Sequence, residues 1–191
     1  MALCGAILIG GRSRRMGADK ATLVLRDGRT MVEHVAEALA ELCDEVLLVG
    51  SARGNLGGKP GHAGGYVTIA DTRTDAGPLG GIEALLMSNH ADEYLVCPCD
   101  VPAATAHVLR GLLERRDAPA TVLRIHGRDH FEPLPARIHA DALASVTRLL
   151  DSGERSVWRL MEELPAAIVE VGDDAVAALR NINTPDDLST P

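Results

Sequence analysis

The sequence predicts an α/β fold of three layers, a doubly wound and mostly parallel sheet with helices on both faces. Three observations carry this prediction. Strand-like apolar runs alternate with helix-like segments through about the first 120 residues, the pattern of a parallel sheet. The runs are continuously apolar rather than alternating, as strands covered on both faces are. The chain has 191 residues and is 46% apolar, which suits a single domain, 1–191, with one sizeable core. Phe, Trp and Tyr together make up only 2%, so that core must be built from Ala, Val, Leu and Ile.

The elements follow in order. Ala2 to Ile9 reads as a buried strand ending in Gly10-Gly11. Met31 to Cys43 is a helix with Val32, Val35, Ala36, Leu39 and Cys43 on one face. Glu45 to Val49 is a second strand, and Gly50 to Gly65 a long, glycine-rich, mobile loop. Tyr66 to Ala70 is a third strand, running into Asp71. Pro78 to about Asn89 is a helix with Pro78 near its first position. Glu93 to Cys97 is a fourth strand, followed by Pro98-Cys99-Asp100. Thr105 can cap a helix carrying Val108, Leu109, Leu112 and Leu113. Ala120 to Ile125 and Leu134 to Ile138 are strands around a polar turn, His126 to His130. His139 to Leu150 and Ser156 to Leu164 are helices, Ala167 to Val171 is the last strand, and Thr184-Pro185-Asp186-Asp187 starts a final helix.

Composition excludes several classes. The net charge is −8, so no general nucleic-acid or membrane footprint is present. The shortage of aromatics argues against single-strand nucleic-acid binding, which relies on stacking. Cys4, Cys43, Cys97 and Cys99 match no zinc or CxxC redox spacing and read as reduced thiols of a cytoplasmic protein. The apolar run at Leu3 to Ile9 lacks a basic leader and enters the glycine loop directly, so it reads as a strand rather than a signal peptide. No apolar run approaches the ~18 residues of a membrane span. The seven histidines have no metal-ligand spacing.

In an open parallel sheet the ligand sits beyond the carboxyl ends of the strands. Gly10-Gly11, Asp71 and Asp100 all fall at such ends. Between Arg12 and Lys20, four positive charges (Arg12, Arg14, Arg15, Lys20) face one acid, Asp19, a net +3 in a chain of net −8. Glycines expose backbone N–H groups to a phosphate, Arg forks onto phosphate oxygens, and Lys acts as a point charge. The loop is not a Walker A sequence, because no Gly-Lys-Ser/Thr follows, and it carries arginines where a dinucleotide fingerprint has none. Asp100, ending an apolar strand, is either a magnesium ligand or a helix cap. Asp71 either bonds a ribose or base or opens a turn. Pro78-Leu79-Gly80-Gly81 either offers N–H groups at a helix start or packs closely. Asn181 and Asn183 flank Ile182 and share a side if the stretch is extended.

The loop, Leu8-Ile9-Gly10-Gly11 followed by Ser13-Arg14-Arg15-Met16-Gly17 and Lys20, resembles the signature of the nucleotidyltransferase superfamily, in particular the molybdenum cofactor guanylyltransferases. The resemblance runs along nearly the whole chain: Asp71-Thr72-Arg73 with Ala76-Gly77-Pro78-Leu79-Gly80-Gly81, Cys97-Pro98-Cys99-Asp100-Val101-Pro102, Gly153-Glu154-Arg155-Ser156-Val157, and Asn181-Ile182-Asn183-Thr184-Pro185. Ile9 stands where the family usually has Ala, Gly50 where it often has Asn, and His130-Phe131-Glu132-Pro133 where it has a His-Pro element.

The resemblance implies a Rossmann-like nucleotidyltransferase fold with a nucleotide-binding half, about 1–102, and an acceptor-binding half, about 103–191. It implies GTP as donor, molybdopterin cofactor as acceptor and Mg²⁺ as cofactor. Leu8, Ile9, Gly10, Gly11, Lys20, Asp71, Pro78, Leu79, Gly80 and Asp100 would bind the nucleotide. Arg15, Lys20 and Asp100 would be catalytic, Asp100 holding the metal, while Asn181 and Asn183 would face the pterin. Partner proteins would be those that insert molybdenum and those that chaperone molybdoenzymes. Two other readings remain open: a nucleotidyltransferase using CTP or a sugar-phosphate acceptor, and a non-catalytic GTP- and cofactor-binding adaptor.

Overall fold

The computed structural model describes residues 2–9, 20–50 and 65–182, with the side chain of Lys20 outside the description. Among the described residues, seven strands form one sheet in the order β3-β2-β1-β4-β6-β5-β7. They are β1 (Leu3–Leu8), β2 (Glu45–Val49), β3 (Thr68–Ile69), β4 (Glu93–Pro98), β5 (Ala120–Ile125), β6 (Glu132–His139) and β7 (Ala167–Val171). β6 runs antiparallel to both of its neighbours, β4 and β5, and all other pairings are parallel.

Helices cover both faces because the central strands are apolar on both. Cys4, Ala6 and Leu8 of β1 face one way, with α2 (Gly77–Met87), α4 (Leu143–Asp151) and α5 (Val157–Glu163) packed over them. Ile7 and Ile9 face the other way, under α1 (Met31–Ala40), α3 (Ala106–Arg110) and α6 (Asp174–Ala178). Side-chain alternation in a strand produces this split. The expected three-layer α/β architecture is therefore the observed one.

Caps set the helix starts. Thr30 and Glu33 form a reciprocal capping box at α1, an arrangement that stabilises a helix by about 1 kcal/mol. Thr105 accepts from the N–H of Val108 at 3.3 Å, and Ser156 accepts from the N–H of Arg159 at 3.3 Å.

Several boundaries differ from expectation. The first strand is Leu3–Leu8 rather than 2–9. α1 stops at Ala40, and Cys43 instead donates its N–H to the Leu39 carbonyl at 2.9 Å. β3 shrinks to Thr68–Ile69, because as an edge strand it pairs only with Leu48 and Val49. α3 passes into a 3-10 turn at Gly111–Leu113. A 3-10 turn at Ala140–Ala142 precedes α4 where one helix from His139 was expected. β6 begins at Glu132, two residues before the expected start. α6 was not expected. The expected loop interior, 51–64, and the expected helix at Thr184 lie outside the described residues.

Candidate functional site

The chain leaves β1 toward β2 and β3 on one side and returns to β4 on the other. This reversal opens a crevice at the carboxyl ends of β1 and β4. Leu8 pairs with Pro98 there. The Cys99 N–H donates to the Leu8 carbonyl at 3.1 Å, and the Ile9 N–H donates to the Val49 carbonyl at 2.9 Å. The side chains of Leu8 and Ile9 are buried in opposite cores. What these two residues present at the edge is backbone, and the bulk of Ile9 is taken up beneath α1. Gly10, Gly11 and Arg15 lie outside the described residues. The backbone of Lys20 opens a 3-10 turn, Lys20–Thr22.

Asp71 sits beyond β3 at the same edge and is exposed. A Cβ placed on Gly81 would lie 3.6 Å from Asp71 Oδ1, 3.3 Å from Leu8 and 3.5 Å from Val49. The carboxylate thus lies against α2 beside the apolar ends of β1 and β2, and partial burial there pushes the Asp71 carboxyl up from its ordinary value. α2 begins without a side-chain cap and carries Pro78 in its first turn. Gly77 adopts φ +64°, a conformation that glycine takes without strain. Pro78 is exposed at this edge, whereas Leu79 and Gly80 are buried.

Asp100 follows β4 and is half-buried. Thr105 already caps α3, so Asp100 is not needed as that cap. The carbonyl of Asp100 accepts the N–H of Ile182 at 2.7 Å. That bond places exposed Asn181 at the end of β4; Asn183 lies outside the described residues. Among the described residues no group of three or more His, Cys, Asp or Glu could hold a metal ion. A half-buried carboxylate still suits Mg²⁺, which is held by one or two carboxylates and completed by substrate phosphates.

The chain after β4 contributes to the same edge. Because β6 is antiparallel, its first residues and the preceding turn lie at the carboxyl end of β4. Exposed His130 is in that turn. Phe131 stacks on Trp158 of α5, ring centroids 4.0 Å apart and planes 12° from parallel. A Cβ on Gly77 would lie 3.9 Å from the Arg155 carbonyl oxygen, so the 153–157 segment borders the start of α2.

Sequence reasoning missed a buried carboxylate. Glu83 of α2 is 2% exposed and binds Arg73 through Nε–Oε2 at 2.7 Å and Nη2–Oε1 at 2.9 Å. Its place inside an otherwise apolar helix, between Ile82 and Ala84, is the signal that would have found it. Burial alone would push the Glu83 carboxyl up, but hydrogen bonds from Arg73 and Thr147 hold it below its ordinary value.

Among the described residues no helix is long and apolar enough to cross a membrane. The model of the MobA-like NTP transferase domain matches residues 5–168. A molybdenum cofactor guanylyltransferase of Pseudomonas syringae pv. syringae is 33% identical over 94% of this chain and 88% of its own. A probable molybdenum cofactor guanylyltransferase of Methanothermobacter thermautotrophicus is 34% identical over 96% of this chain and 95% of its own. The solved structure of molybdopterin-guanine dinucleotide biosynthesis protein A from Archaeoglobus fulgidus superposes with a TM-score of 0.73 at 26% identity, covering 97% of this chain and 95% of that one. With these matches running almost end to end over the observed sheet, the chain belongs to the MobA-like NTP transferase family.

Proposed function

We propose that the chain transfers GMP from GTP to the terminal phosphate of molybdenum-molybdopterin, releasing pyrophosphate and giving a guanine dinucleotide form of the cofactor. The observation that carries this reading is convergence: Asp71 and Asp100 lie at the carboxyl ends of the strands on one sheet edge, and the hydrogen bond from Ile182 to Asp100 ties the Asn181 segment to Asp100 there. The names of the relatives in Pseudomonas syringae and Methanothermobacter thermautotrophicus support the choice of donor and acceptor.

A phosphate is a competent nucleophile, so no strong base is required. The protein's contribution is positioning and charge neutralisation. Asp100, with the substrate's phosphate oxygens, would hold Mg²⁺, which when bound neutralises triphosphate charge. Arg15 and Lys20 would neutralise the β- and γ-phosphates and the leaving pyrophosphate. Gly10 and Gly11 would donate backbone N–H groups. Asp71 and the exposed start of α2 would face the nucleoside, and Asn181 and Asn183 the pterin. In this reading the enzyme works in the cytoplasm and exchanges cofactor with molybdenum-insertion and molybdoenzyme-chaperone proteins.

Mass spectrometry of the products from GTP, Mg²⁺ and purified molybdopterin tests the reading. The expected result is the guanine dinucleotide with pyrophosphate. A panel in which CTP binds more tightly than GTP would refute the choice of base. Nucleotide binding with no pyrophosphate from any acceptor would refute the transferase.

A further inference from the structure

Asp71 lies only two residues from Arg73, and the two residues dock on α2 in step. Asp71 lies beside Gly81, and Arg73 lies on Glu83. Residues two apart span at most ~7 Å of extended chain, so whatever fixes Arg73 also fixes Asp71. The Arg73 fork meets both Glu83 oxygens. The Thr147 hydroxyl donates to Glu83 Oε1 at 2.9 Å, and that of Thr72 lies at a longer 3.5 Å from Oε2. The remaining Arg73 nitrogen, Nη1, reaches Asp151 at 2.7 Å. Thr147 and Asp151 belong to α4, in the acceptor half.

With all three guanidinium nitrogens bound to carboxylates, Arg73 serves as a latch rather than as a phosphate ligand. The two arms of the latch are unequal. Asp151 is exposed, and exposed ion pairs contribute little. Glu83 is buried, so losing Arg73 would leave a buried carboxylate without its counter-ion.

We propose that Glu83 is a positioning residue for the nucleotide: through Arg73 it sets the segment carrying Asp71 against α2, and through Thr147 it registers that segment with α4. The proposal rests on the reading that Asp71 faces the nucleoside.

Glu83→Gln and Arg73→Lys test it. The carboxamide turns an NH₂ toward an Arg N–H, and lysine keeps the charge without the fork. Glu93→Gln is the control. It removes the carboxylate charge from a fully buried pair, Glu93–Arg137, at the amino-terminal end of β4. The measurements are calorimetric Kd for whichever nucleoside triphosphate the unsubstituted chain binds most tightly, amide exchange over 71–77, and thermal melting. The expected result is Kd raised at least about tenfold by Glu83→Gln and by Arg73→Lys, with faster exchange at 71–77. Glu93→Gln should lower the melting temperature but leave Kd within about twofold. Unchanged Kd in Glu83→Gln, or equal weakening by Glu93→Gln, overturns the proposal and leaves the nucleotide reading standing. No triphosphate binding by the unsubstituted chain overturns the nucleotide reading and the proposal together.

Discussion

The backbone N–H of Ile182 donates to the carbonyl oxygen of Asp100 at 2.7 Å. This one bond closes the C-terminal segment onto the end of the central strand β4. It sets the residue proposed to hold the metal beside a residue proposed to face the acceptor. In-line transfer between two bound phosphates requires that kind of adjacency.

Asp100→Ala and Lys20→Ala are each expected to lower turnover at least about tenfold, or about 1.4 kcal/mol of barrier. Pyrophosphate release under saturating substrates reads the effect. Undiminished release from either variant would sink the assignment.

Nucleotide affinity should depend on acid pH through Asp71. Burial holds its carboxyl above the ordinary 3.8, and a carboxylate accepting hydrogen bonds from a ribose or base must be ionised. Affinity is then full above the raised pKa and is lost as pH falls through it. Titration calorimetry across the acid range should show the loss in the unsubstituted chain and a flattened profile in Asp71→Asn. Matching profiles would remove Asp71 from the site.

Close packing at the start of α2 predicts a graded pair of variants. A Cβ on Gly80 would overlap the Cβ of Ala76, so Gly80→Ala should cost about 1–3 kcal/mol of stability. Gly81→Ala meets its nearest atom at 3.3 Å, on the flexible Leu8 side chain, and should cost less. Urea melts that rank the two in reverse would contradict the packing described.

The amino-terminal edge of the sheet is held by Arg137, which is fully buried. It donates to Glu93 at 2.8 Å, to Thr121 at 3.2 Å and to the carbonyls of Arg115 and Ala118. Arg137→Ala leaves Glu93 Oε1 and the Arg115 and Ala118 carbonyls without their donor, while Arg116 still meets Oε2, and should cost about 1–3 kcal/mol in denaturant unfolding. A loss below about 1 kcal/mol would show that the cluster is not carrying the fold there.

Stability should also fall in alkali. Burial pushes the thiols of Cys4 and Cys43 up from 9.0 to about 12. Their folded pKa values are raised, so their contribution is complete below the unfolded value of 9.0 and declines as pH rises from there toward 12. Melting curves between neutral pH and pH 10 would reveal the decline, and Cys4→Ala with Cys43→Ala should reduce it.

The sequence makes the scaffold legible where one local signal decides the outcome. The continuous apolar runs of β1, β2 and β4 can only be strands covered on both faces. Thr105 and Ser156 announce their helices by capping chemistry. Asp71, Asp100 and Asn181 were all expected at strand ends or in one acceptor segment, and the structure brings them to one edge. What was illegible is tertiary. Glu132 and Pro133 lie between the expected turn, His126 to His130, and the expected strand, yet they begin β6, because pairing across the sheet extends the strand past its polar residues. The spacing of Ala175, Ala178 and Leu179 would fit a helix face, but α6 is too short for periodicity to stand out. Glu93 and Arg137 fall within the expected strands, with no sign that they pair. They lie 44 residues apart, so no window of residues could disclose that they form a buried pair.

The antiparallel course of β6 has a consequence for how this architecture diversifies. It delivers the tip of the β5–β6 hairpin to the working edge while leaving the β1–β4 register to be set by other strands. Residues can be inserted or deleted at 126–131 without sliding β1, β2, β3 or β4. The fold therefore separates a fixed chassis from an interchangeable rim, whose loop can change in length and composition while the β1–β4 frame is inherited intact.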